Sequence, residues 1–583
     1  MRYSIYYQFY EAVLRNPHNI ALECAESTVT FIELYTKTIQ AANVLRAEGV
    51  KKHDIVLLYM SNSIEYIIWM LAVLRMGAIV LPVDSTVPKQ RTIEIIRESC
   101  PRIIICDDII NIQSVKWIGL QSYINEIATD ENLPDQIDSL YSFCLYTSGS
   151  TGTSKGVLLK QEAICRHVKK KMELLQIDAS SKMCTSFSIS FVASIWILLA
   201  PLFTNAKLYI YNYDIYSNAH IFFNHVDTDA ISIISVVPRF AGMYCKLIDN
   251  GHRKFNLSGL KYILLTGEKL DINIVHSFHS YYPKVNLVNA YGQTECSDDT
   301  FHFKIPYPFN NTDVPIGLPS EYIDTFILDT GELCLAGPCL FGRYLHEDFA
   351  HQAIIWIDEC NKFMYKTGDI VTCRNDGLYY YIGRIDNQIK INGFRIYPEE
   401  IEREICAIPG INEAVIVPFE NLNGVMLIAY YSSATEQSAW MIREQLSEKL
   451  PAYMIPPIYR YQKSLRKNNN GKIDRSFYRK LCTERISTSL PCINETKQMI
   501  AFTISLLSSV DYIVNSGISM SLAEVGLDSL AYIYLITELE DIYNIVIRDE
   551  IMRFYKEQSI DQLVDYIALE IRNANGEKNA TNE

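Results

Sequence analysis

The sequence has little that would point to an extracellular, membrane-bound or nucleic-acid-binding protein. Its 15 cysteines form no CxxC pair and no cluster with histidine, so we expect reduced, mostly buried thiols and no structural metal site. The 53 basic residues are outnumbered by 67 acidic ones, and a net charge of −14 argues against a nucleic-acid scaffold. The first residues contain no basic stretch followed by an apolar core, which predicts no secretory signal and a cytoplasmic location.

Long apolar runs are also scarce. The longest extends from Tyr66 to Val83, but Arg75, Gly77 and Pro82 interrupt it. A membrane-spanning helix needs about 20 predominantly apolar residues. A buried helix that runs into a strand explains this stretch better, and we predict no membrane partner.

The length of 583 residues predicts three or four domains, at about 150 residues each. Over the first two thirds of the chain, short runs rich in Val, Ile and Leu alternate with helix-like segments. Such runs are typical of strands that are buried on both faces of a parallel sheet. The runs are DIVLLYM, GAIVLPVD, RIIICDD, AKLYIYN, ISIISVVP, KYILLTG and KVNLVNAYG. We predict an α/β core with several largely parallel sheets over residues 1–385.

Two smaller bodies are expected after this core. Residues 386–482 continue the alternation and predict a small α/β unit, and the Ser-, Thr- and Pro-containing stretch ISTSLPCINET then predicts a linker. From Leu490 to the end, 15 acidic and 6 basic residues give a net charge of −9. The helical periodicity of this part predicts a small helical bundle over residues 490–573.

A glycine-rich stretch, YTSGSTGTSKG, extends from Tyr146 to Gly156 at the end of an apolar run. Glycines let backbone N–H groups approach an anion, hydroxyls add donors and lysine adds charge, so the stretch suits a triphosphate. It lacks the spacing of the Walker motif. The alternative is a flexible surface loop without a ligand. The candidate phosphate-binding residues are Thr147, Ser148, Gly149, Ser150, Thr151, Gly152 and Lys155.

Further motifs follow in a fixed order. They are NAYGQTE at 289–295, GELCLAGPCLFGRYL at 331–345, YKTGDIV at 365–371, GRIDNQIKINGFRIYPEEIE at 383–402 and NGKIDR at 470–475. Over about residues 10–480, this series resembles the adenylate-forming superfamily, and specifically the adenylation domains of nonribosomal peptide synthetases. The resemblance implies that a carboxylate attacks the α-phosphate of ATP and releases pyrophosphate. A thiol then takes the acyl group from the adenylate, and AMP leaves.

The resemblance also implies roles for single residues. Tyr291 would stack on adenine, Asp369 would bind the ribose hydroxyls, and Glu295 would help to hold Mg²⁺. Lys472, Thr151 and Glu295 would be catalytic, and Asp386 would be the hinge on which the 386–482 domain turns. Read singly, Tyr291 is also typical of a turn and Lys472 of a solvated lysine. Besides the phosphate loop, the implied nucleotide-binding residues are Asn289, Ala290, Tyr291, Gly292, Thr294, Asp369, Arg384 and Lys472.

The acidic C-terminal part contains GLDSL, with Ser529 before an apolar and acidic helix. This resembles an acyl- or peptidyl-carrier domain with Ser529 as the attachment site of 4′-phosphopantetheine, although an Asp-Ser helix cap is the alternative. The resemblance implies a phosphopantetheinyl transferase as a partner. We expect the chain to pass its acyl thioester to a separate downstream enzyme, and the need for a small helper protein stays open.

The stretch FVASIW at 191–196 departs from the pattern of amino-acid-activating relatives. Val192 occupies the position where those relatives have an aspartate for the α-ammonium, and an unpaired buried ammonium would cost several kcal/mol. An ordinary α-amino acid is therefore not expected. The pocket positions implied by the resemblance are Phe191, Val192, Ala193, Trp196, Ser235, Leu264, Thr266, Ala290, Asp298, Asp299 and Lys472.

Within this pocket, Asp298 or Asp299 would pair with an ammonium that lies farther from the reacting carboxylate. This pattern resembles β-alanine-activating members of the family, and Trp196 would favour a small acid, so we predict β-alanine or another β-amino acid. If the aspartates form a solvated turn, a hydroxy, keto or aryl acid fits better. A diamino acid is a third option. Rival functions are an acyl-CoA ligase and a non-catalytic nucleotide-binding protein.

Overall fold

The computed structural model describes residues 3–25, 27–106, 115–128, 139–147, 155–249, 251, 253–340, 342–345, 353–391, 393–421, 424–467, 473–488 and 560–574. Contacts divide the chain into two compact units, Met1–Tyr397 and Pro398–Glu583. The predicted domain boundaries at 385 and 482 concern which parts move in the reaction, and they stay predictions.

The first unit alternates strands and helices, as the sequence predicts. Its strands are β1 (Ile20–Cys24), β2 (Ser27–Thr30), β3 (Ile55–Tyr59), β4 (Ile79–Val83), β5 (Ile103–Cys106), β6 (Lys116–Ile118), β7 (Tyr141–Thr147), β8 (Lys155–Lys160), β9 (Lys182–Cys184), β10 (Lys207–Tyr209), β11 (Ile233–Val236), β12 (Tyr262–Leu265), β13 (Asn286–Gln293), β14 (Asp298–Ile305), β15 (Leu318–Pro319), β16 (Asp324–Ile327), β17 (Glu332–Ala336), β18 (Arg343–Tyr344), β19 (Ile354–Ile357), β20 (Lys362–Cys373), β21 (Tyr379–Arg384), β22 (Ile389–Ile391) and β23 (Phe394–Ile396). Each predicted run contains one of these strands.

The helices of this unit are α1 (Ile5–Arg15), α2 (Phe31–Ala47), α3 (Ile64–Arg75), α4 (Lys89–Ser99), α5 (Gln161–Leu174), α6 (Val192–Thr204), α7 (Tyr213–Tyr216), α8 (Ala219–Thr228), α9 (Pro238–Asp249) and α10 (Ile272–Tyr281). Helix α3 and strand β4 account for the long apolar stretch, as predicted. Arg75 is buried at the end of α3, where its Nη1 donates to the hydroxyl of Tyr6 at 3.0 Å. In the described ranges, no helix combines the length and hydropathy that a bilayer-spanning segment requires.

Two large sheets are parallel through their centres. One has the order β15-β14-β13-β12-β11-β9-β10-β1-β2, and the other has the order β18-β8-β7-β4-β3-β5-β6. Their parallel pairs include β11 with β12, β12 with β13, β3 with β4 and β4 with β7. Strands buried on both faces and joined by helices give this arrangement, which confirms the α/β prediction.

The third sheet differs from the expectation of parallel pairing. It has the order β16-β17-β20-β19, with β21 added on β20, and all its pairs are antiparallel. Short turns join β16 to β17, β19 to β20 and β20 to β21; the last contains Gly377, where φ is +76°. Turns of this length cannot make the crossover that parallel strands need. Strands β22 and β23 form a separate hairpin.

The second unit has its own α/β layer. Its elements are α11 (Pro398–Cys406), β24 (Ile411–Asn421), β25 (Gly424–Ser433), α12 (Ala439–Ser447), β26 (Ile458–Gln462), α13 (Arg475–Thr488) and α14 (Ile560–Ala574). Strand β25 pairs antiparallel with β24 and parallel with β26. Helix α14 lies in the predicted carrier stretch and buries Leu563, Val564 and Ile567 at helical spacing. Most of that stretch lies outside the described residues.

Candidate active site

Strands β13 and β20 belong to different sheets, and they bring together two residues from separate motifs. The hydroxyl of Tyr291, on β13, donates to Oδ2 of Asp369, on β20, at 2.5 Å. The side-chain amide of Gln293 donates to the same oxygen at 2.6 Å. Burial and, to a smaller extent, the negative charge of Asp369 raise the pKa of Tyr291 well above its usual range. This hydroxyl therefore stays protonated and can donate. The two residues that the resemblance assigns to one nucleoside are therefore direct neighbours.

Arg384 connects this pair to the predicted hinge. Its Nη1 donates to Oδ1 of Asp369 at 2.7 Å, while Nε and Nη2 donate to the two oxygens of Asp386 at 2.6 and 2.8 Å. Gly368 has a φ of +72°, and a Cβ there would lie 2.5 Å from Nη2 of Arg384. Each carboxylate oxygen can accept two hydrogen bonds, so Oδ1 of Asp369 has capacity for a ribose hydroxyl.

The other residues of the β13 motif shape the same region. Asn289 donates from Nδ2 to the backbone oxygen of Pro315 at 2.8 Å. The pairing of β13 with β14 shifts register between Tyr291 and Gly292. A Cβ at Gly292 would lie 2.1 Å from the backbone oxygen of Asp298, so only glycine allows this close approach. Ala290 is buried on β13, and Thr294 begins a short 3-10 helix, Thr294–Cys296.

That short helix carries Glu295, which is buried and lies among cationic and phenolic groups. Nη1 of Arg395 donates to both carboxylate oxygens at 2.8 and 2.9 Å, and the hydroxyl of Tyr344 donates at 3.3 Å. Lys155 lies with its Nζ 5.5 Å from the centroid of the Tyr344 ring, and burial lowers its pKa. Mg²⁺ bound to nucleotide needs only one or two protein carboxylates. One carboxylate beside a lysine therefore fits a magnesium–phosphate site.

The phosphate loop itself lies mostly outside the described residues, which include Thr147 and Lys155 but not 148–154. These two residues are register partners at the ends of the antiparallel strands β7 and β8. The loop thus connects the ends of two adjacent, paired strands. The predicted loop residues Ser148, Gly149, Ser150, Thr151 and Gly152 therefore lie outside the described ranges, and so do Lys472 and Ser529.

The predicted pocket residues come from five elements. Val192, Ala193 and Trp196 are on the first turns of α6, with Phe191 as the preceding residue. The parallel strands β11 and β12 carry Ser235 and Leu264, which are register partners. Thr266 follows β12, and Asp298 and Asp299 begin β14. Ala290 is on β13. Of the pocket residues that the structure describes, Phe191 and Val192 are partly buried and the others are buried.

The two aspartates are not a solvated turn, and that alternative is wrong. Asp298 is 4% exposed and Asp299 is 3% exposed. Both pair with the ammonium of Lys171 on α5, which forms an ion pair with Asp298 and lies 3.1 Å from Oδ2 of Asp299. The hydroxyl of Thr266 also donates to Asp299. The aspartates therefore have an internal cationic partner that the sequence analysis did not identify.

The two aspartates of this cluster have pKa values that are shifted in opposite directions. Burial, helped by the charge of Asp299 and opposed by Lys171, raises the pKa of Asp298 to about 7. Burial also disfavours the charge on Asp299, but Lys171, His302 and Thr266 outweigh it and hold its pKa below the usual value. Burial and then Lys171 lower the pKa of both His167 and His302 to about 3, so both rings are neutral.

Comparisons with known proteins agree with this geometry. Residues 9–345 match the family model described as AMP-binding enzyme, which covers more than half of the chain. The chain belongs to the AMP-binding enzyme family. Residues 504–567, which include Ser529, match the model of the phosphopantetheine attachment site. The two matches confirm the predicted adenylation domain with a C-terminal carrier domain, and the predicted membership of the adenylate-forming ligases. They also confirm the cofactors expected of these domain types, ATP with Mg²⁺ and covalent 4′-phosphopantetheine.

Relatives of this AMP-binding enzyme include longer proteins. It is 28% identical to gramicidin S synthase 1 of Brevibacillus brevis, over 97% of this chain and 52% of that protein. It is 30% identical to malpibaldin synthetase of Mortierella alpina, over 80% of this chain and 9% of that protein. The chain thus spans about half the length of the first relative and less than a tenth of the second.

A solved structure supports the fold. The artificially fused adenylation–PCP di-domain NpsA-ThdA from Klebsiella oxytoca superposes with a TM-score of 0.70 at 23% identity. The superposition covers 83% of this chain and 97% of that one. The predicted fold class, a multi-sheet α/β core with a small α/β unit and a helical carrier, is consistent with that structure.

Lys171 and Arg395 were missed as site residues. Lys171 ends a run of three lysines, which alone indicates a solvated surface. Its spacing from Ile164 and Val168, however, places it on the apolar face of α5, and that signal was available in the sequence. Arg395 lies within the motif at 383–402, but nothing in sequence spacing links it to Glu295.

Proposed function

We propose that this AMP-binding enzyme activates a small carboxylic acid with ATP and loads it as a thioester onto phosphopantetheine on its own Ser529. In the first step, a carboxylate oxygen bonds to the α-phosphate and pyrophosphate leaves. In the second step, the thiolate attacks the acyl carbon and AMP leaves. The contact between Tyr291 and Asp369, residues from two motifs, is the observation that carries the nucleotide site. The two family matches support the pairing of activation with a carrier.

The residues of the site then take the following roles. Asp369 accepts the ribose hydroxyls, Tyr291 lies against adenine, and Arg384 positions Asp369. Glu295 contributes a ligand to the Mg²⁺ that accompanies ATP, and Lys155 faces the phosphates together with the loop 148–154. Lys472 stabilises charge at the α-phosphate, and Asp386 is the hinge for the second step. Positive charge aimed at the transferring phosphate is an established source of transition-state stabilisation.

The acid is, in this proposal, β-alanine or another small β-amino acid. Val192 leaves the α-position without a carboxylate. Among the other pocket positions, Asp298 and Asp299 share the single ammonium of Lys171, so the buried cluster is one positive charge short when both carboxylates are ionised. A substrate ammonium beyond the α-carbon would supply that charge, because buried charges are favourable only when they are paired.

A second candidate is an acid without an amine. The pKa of Asp298 is raised to about 7 by burial, so this carboxyl can instead keep a proton and donate it to a hydroxyl or keto oxygen. A hydroxy or keto acid would then occupy the same pocket. A diamino acid is less suited, since a second ammonium would leave the cluster with excess positive charge.

Partners follow from the carrier. A phosphopantetheinyl transferase would modify Ser529, and a downstream enzyme would accept the acyl group. An acidic carrier suits basic partner surfaces. We place the protein in the cytoplasm, where the phosphopantetheine thiol stays reduced. The need for a small helper protein is tested by adding candidate helper proteins to an inactive preparation and measuring pyrophosphate exchange.

The experiment is ATP–pyrophosphate exchange with the purified full-length chain. The acids tested are β-alanine, 3-aminobutyrate, 3-hydroxypropionate, pyruvate, 2,3-diaminopropionate and the α-amino acids. Preference for a β-amino acid supports the proposal, and preference for 3-hydroxypropionate or pyruvate supports the second candidate. Exchange with α-amino acids alone would contradict both. The intact mass of the holo-protein, incubated with the preferred acid and ATP, then reports loading on the carrier.

A further inference from the structure

Lys171 contacts three of the predicted pocket residues but lies outside every motif. It is on α5, and its side chain is fully buried. Its ammonium forms an ion pair with Asp298, lies 3.1 Å from Oδ2 of Asp299, and is 5.1 Å from the ring centroid of Trp196. A buried lysine is rare and needs partners to stay in place. Here, all three partners are predicted pocket residues.

Two predicted pocket residues, and His302 beside the cluster, leave polar groups unused. The indole N–H of Trp196 and the hydroxyl of Ser235 are buried and have no hydrogen-bond partner among the described residues. The same is true, within the described part of the chain, of both ring nitrogens of His302. Buried polar groups without partners are uncommon in native proteins, and a ligand is one of the few explanations for several at one place.

When Asp298 is ionised, the charges of the cluster sum to −1, and a substrate ammonium beside Asp298 would favour that ionised form. Asp298 and Asp299 supply two negative charges, Lys171 supplies one positive charge, and the rings of His167 and His302 are neutral. Lys390 is close enough to interact with Asp299, but it lies 5.9 Å from the ring centroid of Tyr291, on the nucleotide side, and interacts more strongly with Asp369. Lys170, the neighbour of Lys171, is paired with Glu321 instead.

We propose that Lys171 is a specificity-determining residue: it neutralises one of the two buried carboxylates, so that the pocket selects acids with a single ammonium beyond the α-carbon. This inference deepens the proposed function and rests on it. Without Lys171, the two carboxylates would favour a doubly charged diamino acid. With Lys171 and only one carboxylate, the pocket would be neutral and would favour acids without an amine. Specificity is thus a balance of charge inside the pocket.

The test compares β-alanine with 3-hydroxypropionate, which differ only in their distal amine and hydroxyl. The ratio of kcat/KM for these two acids in pyrophosphate exchange is measured for the full-length wild type, Asp298→Asn and the double variant Lys171→Met/Asp298→Asn. Asp298→Asn leaves a neutral pocket, so the ratio falls by about thirtyfold or more. The double variant restores the single negative charge, so the ratio returns to within about tenfold of wild type.

Lys170→Met is the matched control. It removes the same charge from the adjacent position of α5, where Lys170 pairs with Glu321 at the surface, and it leaves the ratio unchanged. If Asp298→Asn keeps the wild-type ratio, the pocket charge does not select the acid and the inference is overturned. If the double variant stays at the Asp298→Asn ratio, Lys171 has no part in selection.

Failure of the proposed function gives a different pattern. If wild type prefers an acid without an amine, the proposed β-amino acid is wrong. In that case, the role of Lys171 is supported if the preference among acids of different charge changes in Asp298→Asn and returns to the wild-type preference in the double variant. It is overturned if the preference stays the same in all three proteins. Thermal unfolding adds a readout that needs no substrate. Lys171→Met lowers Tm, and Asp298→Asn in that background raises it again if Lys171 neutralises this carboxylate. Additive losses of Tm would contradict that role.

Discussion

Arg395 binds Glu295 through both carboxylate oxygens, at 2.8 and 2.9 Å from a single guanidinium nitrogen. Arg395 also donates from Nη2 to the hydroxyl of Tyr397 at 3.0 Å. The carboxylate that we assign to Mg²⁺ is therefore already neutralised by a residue of the same unit. If Glu295 holds Mg²⁺ as proposed, Mg²⁺ and Arg395 would compete for this carboxylate, and the arginine would have to be displaced or rearranged.

Replacement of Arg395 by methionine is expected to lower the thermal stability of the nucleotide-free protein. Removing one partner of a buried ion pair typically costs about 3–5 kcal/mol, so the Tm falls. Because Mg²⁺ no longer competes with an arginine, MgATP raises the Tm of the variant by more than it raises that of wild type. Lys362→Met, which breaks an exposed pair with Asp324, is the control. An equal MgATP shift in variant and wild type would contradict the competition.

Replacement of Ser529 by alanine is expected to abolish thioester loading and to leave pyrophosphate exchange unchanged. The hydroxyl is the only attachment point we assign to phosphopantetheine, whereas the adenylate forms on other residues. Intact mass after incubation with a phosphopantetheinyl transferase, acid and ATP measures loading. Ser521→Ala, in the same segment, should load normally. Loading that survives in Ser529→Ala would show that the carrier serine is elsewhere.

Replacement of Lys472 by alanine is expected to lower the rate of adenylation by about a hundredfold or more, because a charge aimed at the transferring phosphate is lost. Transfer from a supplied acyl-adenylate should suffer less. The two rates are measured by pyrophosphate exchange and by thioester formation. Lys467→Ala, which breaks an exposed pair with Glu413, is the control. Equal loss in both steps would point to misfolding.

His167 predicts a pH effect on stability. Burial, then Lys171, lowers its pKa to about 3, so between about pH 6.5 and 3 the unfolded chain binds a proton that the folded protein does not. Stability must therefore fall as the pH falls through this window, by about 1.4 kcal/mol per pH unit for one proton. His167→Gln should lose less Tm between pH 7 and 5 than wild type does. The exposed His18→Gln should behave as wild type, and an identical loss in all three would refute the buried neutral ring.

Much of the fold can be predicted from the sequence because buried parallel strands have a distinctive composition. The runs that become β3, β4, β11 and β12 are almost entirely Val, Ile and Leu, and each is followed by a helix or a strand in the expected place. The antiparallel sheet around β20 was not predicted. Strand β20 alternates more buried with less buried residues along most of its length, a pattern that differs from the buried runs elsewhere.

The site was predictable only where chemistry is tied to a motif. Tyr291 and Asp369 are far apart in the sequence, and only the family resemblance predicts that they are neighbours, as their 2.5 Å hydrogen bond shows. The partners of Asp298 and Glu295 were not predicted. Lys171 and Arg395 reach these carboxylates from other elements, and no spacing rule connects α5 to β14 or β23 to the short helix at Thr294.

The three-way contact of Arg384 has one more consequence. One guanidinium holds the carboxylate assigned to ribose and, through its other nitrogens, the side chain of Asp386. A backbone rotation at Asp386 must stretch or release these bonds, and release changes how firmly Asp369 is oriented. If Asp369 binds the ribose as proposed, nucleotide affinity and backbone torsion at residue 386 are thermodynamically linked, and the link is reciprocal. An occupant of the proposed ribose site would then bias that torsion, and fixing the torsion would retune the site.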